Sequence, residues 1–125
     1  MRLIQTGSPG LFQGDEELAH RLGTCEEVWI PLIVLAEIKA GFYGGTQSMR
    51  NEAVLRKLLV KETVGVLLPD RDTAEHYARV FAQLKRAGTP VRDNDFWIAA
   101  LALEHGLMLI TRDRHFERIP QLPRG

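Results

Sequence analysis

Residues Asn94 to Phe116 read NDFWIAALALEHGLMLITRDRHF, an apolar unit with one acid, Asp95, near its start and another, Asp113, near its end. The run from Asp95 predicts a buried helix, Gly106 stops it, and Leu107 to Thr111 predicts a short strand. In a parallel sheet the carboxyl end of that strand and the start of that helix lie at the same edge. Open α/β sheets bind their ligands in the crevice outside that edge. Two carboxylates facing one crevice repel each other unless a cation or a shared proton intervenes, so the pattern calls for a metal.

Working outward, strands and helices alternate. Leu3 to Gln5 predicts a first strand ending in TGSPG, and Asp15 can cap a short helix through Leu22. Val28 to Ile30 predicts a second strand. A helix then runs from Pro31 or Leu32 to Phe42, with Pro31 in its first turn and Gly41, Gly44 and Gly45 breaking it. The apolar residues Ala53, Val54, Leu55, Leu58 and Leu59 support a further helix from Thr46 to about Lys61, and Val64 to Leu68 predicts a third strand. Asp70 or Asp72 caps a helix on which Ala74, Tyr77, Ala78, Phe81 and Leu84 recur at helical spacing until Gly88. Thr89 to Arg92 connects it to the helix from Asp95, and a last short strand is predicted near Arg118 to Gln121. This alternation implies a parallel sheet of four to five strands covered on both faces, a three-layer α/β/α domain spanning residues 1–125.

Composition narrows the classes. The 125 residues suffice for one ordinary core, and sixteen basic residues balance sixteen acidic ones, so no global field draws in nucleic acid. The single cysteine, Cys25, rules out an intrachain disulfide and a multi-cysteine zinc site, which favours a reducing compartment. MRLIQTG lacks the apolar core of a signal peptide, and Val28 to Ala36 is far short of the roughly 20 residues a spanning helix needs. A cytoplasmic protein without membrane contact is expected.

The acids at the common edge are Glu37, Asp93, Asp95 and Asp113. Taken singly, Asp93 or Asp95 reads as a helix cap or dipole partner, and Asp113 as a turn residue. Glu37 differs, because PLIVLAEIKAGF is otherwise apolar enough to be core on most faces and a lone buried carboxylate is expensive. Together the three outweigh three separate accidents. Trp29, Phe96 and Trp97 read as core packing, and His20, His76 and His105 as helix-surface residues.

Through PLIVLAEIKAGFYGG, SMRNEAVLRKLL and above all NDFWIAALALEHGLMLITRDRHFERIP, the chain resembles the PIN-domain ribonucleases, and within them the VapC toxins of toxin–antitoxin pairs. The resemblance implies a cytoplasmic, metal-dependent endoribonuclease. Glu37, Asp95 and Asp113 would hold Mg²⁺ or Mn²⁺, with Asp93 as an accessory acid and Thr111 orienting an acid or a water. It implies cleavage to a 5′-phosphate and a 3′-hydroxyl, a VapB-type antitoxin as partner, and a homodimer. Arg112, Arg114, His115 and Arg118, with Lys39 and Arg92 nearby, could contact RNA phosphates; the alternative is a set of surface salt bridges on a solvated turn. Ser48 to Lys61 could help receive an antitoxin, or simply pack as a helix.

The start of the chain departs from the family pattern. LIQTGS places Gln5 where the resemblance expects the first metal-binding acid, and Gly7 where it expects Asn. An amide oxygen is a weaker ligand for hard Mg²⁺ than a carboxylate. A contact charge is worth about 4 kcal/mol when partly screened, and losing half of that weakens binding by more than about tenfold. The resemblance therefore implies an attenuated or inactive nuclease, and the alternative is a non-catalytic PIN domain that binds antitoxin or RNA. A phosphoacceptor receiver domain would need an acid pair after the first strand, which LIQTGS lacks.

Overall fold

The computed structural model describes residues 2–4, 27–44, 48–88, 93–110 and 114–123, of which 2–4, 48–51, 93 and 114–115 are described as main chain only. In chain order these form β1 (Arg2–Ile4), β2 (Val28–Pro31), α1 (Leu32–Gly44), α2 (Ser48–Leu59), β3 (Val64–Leu67), α3 (Arg71–Arg86), α4 (Asp93–His105), β4 (Met108–Ile110) and a 3₁₀ helix (Arg114–Arg118). The four strands make one parallel sheet in the order β3-β2-β1-β4. From β1 the chain steps to β2 and β3 in one direction, then returns past β1 to β4. Right-handed crossovers in opposite directions put α1 and α2 on one face and α3 and α4 on the other, giving the three-layer α/β/α arrangement. The reversal of strand order lies between β1 and β4, whose last residues Ile4 and Ile110 are paired in register. A sheet of this kind binds ligands beyond such a point.

Residues on both faces of the sheet are covered, as a parallel sheet requires. Val28, Ile30, Leu109 and Ile110 are buried, and Trp29 packs partly buried on the opposite side of β2 from Val28 and Ile30. Its indole lies over Gly65 on β3, where a Cβ would come within 2.6 Å of the ring. That position therefore needs glycine for space rather than for backbone conformation. Helix α1 buries Val34, Ile38 and Phe42, one residue per turn, while α4 buries Phe96, Ile98, Ala99, Ala100, Leu101 and Ala102. The small alanines on α4 let neighbouring elements approach it closely.

Three expectations shift in detail. Pro31 closes β2 opposite Leu67, and α1 starts one residue later. Having no N–H, proline is least costly at a strand end, where the ladder asks for no further donor. Gly41 does not break α1, which continues to Gly44 because Phe42 remains anchored in the core. No strand forms at Arg118 to Gln121. Phe116, Ile119 and Leu122 are all buried at a spacing of three, which suits 3₁₀ and turn geometry, and Pro120 and Pro123 cannot donate to a ladder. The segment instead makes a backbone bond from the Leu109 N–H to the Pro123 carbonyl, 2.8 Å.

Candidate functional site

Of the predicted site residues, Asp93 and Asp95 lie in the first turn of α4 and Glu37 lies in the middle of α1. The helix begins at Asp93, two residues before the expected start, so Asp95 lies inside its first turn. Asp95 is only 1% exposed. The positive end of the helix dipole favours negative charge at this position. Next to it, the Asn94 side-chain amide donates to Glu37 Oε1 at 3.2 Å, joining α4 to the middle of α1 across 57 residues of sequence.

The burial of the two acids is the reverse of the expectation. Glu37 is half-buried, because Val34, Ile38 and Phe42 take the inward stripe of α1 and leave position 37 beside it. Asp95, which taken singly reads as a cap or dipole partner, is the carboxylate that the core encloses. Asn94 carries no role in the sequence reading. Its signal was present in the sequence, as an amide between two acids at a helix start, but only the tertiary contact shows what it reaches.

Gln5, Arg92, Thr111, Arg112 and Asp113 lie outside the described residues, as do the side chains of Asp93, Arg114 and His115. Lys39 and Arg118 are exposed. Trp97 is half-buried and stacks at a tilt on Tyr77, centroids 4.6 Å apart, while Phe96 is buried against Tyr77 and Phe81. These contacts make Phe96 core, as expected, and make Trp97 part of the α3–α4 packing.

A second acidic group, Asp70, Asp72 and Glu104, lies at the other end of α4, with ligand oxygens within 4.8 Å of one another. Local structure accounts for it. Asp70 caps α3, accepting from the N–H groups of Asp72 at 2.9 Å and Thr73 at 3.1 Å, and its own N–H donates to Thr73 Oγ1 at 3.0 Å. The Thr73 hydroxyl proton serves Glu104 at 2.5 Å in preference to Asp70 at 3.2 Å. The Thr73 N–H, first among these donors, holds the Asp70 carboxyl below its ordinary pKa.

Glu37 and Asp95 offer only oxygen ligands, with no thiol or imidazole beside them. That donor set suits Mg²⁺ or Mn²⁺ rather than zinc or copper. Comparison with known proteins gives the family. The PIN domain family model matches residues 11–122, beginning beyond β1 and Gln5. Ribonuclease VapC1 of Haemophilus influenzae strain R2866 is 37% identical over 92 residues, 72% of this chain and 66% of that relative, so the chain spans just under two thirds of its length. The tRNA(fMet)-specific endonuclease VapC of Salmonella typhimurium is 38% identical over 73% of this chain and 68% of its own. The DNA-bound VapBC structure from the same organism superposes with a TM-score of 0.84 at 28% identity, covering 100% of this chain and 97% of that one. The chain belongs to the PIN-domain family, in its VapC branch. Among the described residues no helix is long and apolar enough to cross a membrane.

Proposed function

We propose that this protein is a VapC-type, divalent-metal-dependent endoribonuclease whose activity is attenuated at Gln5. The observation that carries the reading is the buried Asp95 in the first turn of α4, with the adjacent Asn94 bonded to Glu37 on α1. The bond ties α1, which carries Glu37, to the turn of α4 that carries Asp95, and this supports the reading. Relatives named as ribonucleases support the same assignment.

In this reading Glu37, Asp95 and Asp113 hold Mg²⁺ or Mn²⁺, Asp93 is accessory, and Gln5 offers a neutral oxygen in place of the expected acid. When bound, the ion supplies Lewis acidity at the phosphate and an activated water. The chain's own contribution is charge and position. The positive end of the α4 dipole favours negative charge at Asp95, Asn94 orients Glu37, and Arg112, Arg114, His115 and Arg118 bind RNA phosphates without reading sequence. A VapB-type antitoxin is the proposed partner, by extension from the VapBC assembly, and a homodimer the proposed state.

The test is Mg²⁺- and Mn²⁺-dependent cleavage of a mixed RNA pool by the chain, by Gln5→Asp, and by Gln5→Asp combined with Asp95→Asn. Cleavage should appear or rise at least about tenfold with Gln5→Asp and vanish in the double variant or with chelator. Absence of cleavage by all three folded proteins would favour the non-catalytic binding module.

A further inference from the structure

Resting on the metal reading above, we propose that Asn94 is a positioning residue for Glu37, fixing its carboxylate before a divalent ion arrives. Glu37 is half-buried and carries a long side chain, so several rotamers compete for its carboxyl group. Asn94 has a shorter side chain on the first turn of α4, where Asp95 and Phe96 beside it are buried at 1% and 5% exposure. Its main chain is therefore fixed by the core, and its short side chain places the amide 3.2 Å from Glu37 Oε1.

The chemistry of the donor matters. A lysine or arginine at this position would orient Glu37 but neutralise its charge. The asparagine amide is neutral, so it engages one carboxylate oxygen and leaves the full negative charge for a cation. In a chain that has Gln5 where an acid is expected, each remaining charge carries more of the binding. The bond also bridges α1 and α4, two helices in different connections of the sheet. Groups of this kind, which touch a ligand residue rather than the ion, typically change metal affinity by 10–100-fold when removed.

The experiment is a Mn²⁺ titration, by calorimetry or by the electron paramagnetic resonance of free Mn²⁺, of the chain and of Gln5→Asp, each with Asn94→Ala, Asn94→Gln, Glu37→Ala and the Glu37→Ala/Asn94→Ala pair. Thermal melts accompany each variant. Asn94→Ala should weaken Mn²⁺ binding roughly tenfold with almost no change in melting temperature, because the bond is exposed. Asn94→Gln, which keeps the amide, should recover part of the loss. In the Glu37→Ala background, Asn94→Ala should add nothing, since the residue acts only through Glu37. Independent, multiplying losses from the two alanine changes, or no loss from Asn94→Ala while Glu37→Ala does weaken binding, would overturn the positioning role alone. Unchanged binding in Glu37→Ala, or no Mn²⁺ binding by the chain or by Gln5→Asp, would overturn the metal reading itself and the proposal with it.

Discussion

Helix α4 has acids at both ends, and the two ends differ in what holds those acids. At its C-terminal end Glu104 joins Asp70 and Asp72 in a tight carboxylate group. The main-chain N–H groups at the start of α3 and the Thr73 hydroxyl account for it, and His105 Nε2 lies 3.2 Å from Glu104. About 14 Å away along the helix axis, Asp95 is enclosed by the core and its neighbour Asn94 reaches out to Glu37. Closeness of carboxylates is thus a poor guide to a metal site. Which groups satisfy the oxygens, and how deeply the charge is buried, separate a helix cap from a candidate centre.

The strongest attempt to break this contrast is Asp95→Asn set against Glu104→Gln. Removing the buried charge should weaken Mn²⁺ binding on the order of 100-fold, about 2.7 kcal/mol, whereas Glu104→Gln should leave it unchanged. A titration in which Glu104→Gln produced the larger loss would move the metal centre to the other end of the helix.

A smaller effect is expected at the cap. Thr73 is fully buried, receives the Asp70 N–H and donates to Glu104, so the near-isosteric Thr73→Val change breaks the reciprocal cap and strands Glu104. Denaturant unfolding should show a loss of about 1–2 kcal/mol, with Mn²⁺ affinity intact. Equal stability of the two proteins would mean that this end of α4 is not held by its cap.

The smallest effect sharpens the same point through pH. Asp70 has its folded-state pKa below the ordinary 3.8, so in that range the unfolded chain binds more protons and stability rises with pH. The contribution is fully present above 3.8 and is lost as pH falls through the folded value. Asp70→Asn keeps a capping oxygen but cannot titrate, so its melting temperature should match the parent at neutral pH and fall less steeply on acidification. An unchanged acid slope would remove Asp70 from the account.

Much of this organisation was legible from residue pattern. An aspartate cap on α3 at position 70 or 72, of which the structure uses Asp70, Gly88 and Gly106 ending α3 and α4 with φ of +68° and +63°, and the parallel alternation of strands follow from local chemistry. Element ends were less legible where two rules competed. Pro31 could open a helix or close a strand, and the pairing of β2 with β3 decided for the strand. The residues after Phe116 could alternate as a strand or wind at a spacing of three, and two prolines with three buried apolar residues decided for the winding.

The sequence by itself determined the layered α/β/α class and the candidate acids, because periodicity and capping are properties of neighbours along the chain, and it carried the family as a resemblance of whole segments such as NDFWIAALALEHGLMLITRDRHF. Only the tertiary structure decided that Asp95 rather than Glu37 is the enclosed carboxylate, and that Asn94 joins the two helices. Burial depends on which stripe of a helix the sheet accepts. A contact across 57 residues depends on where two crossovers meet, and no local pattern encodes either.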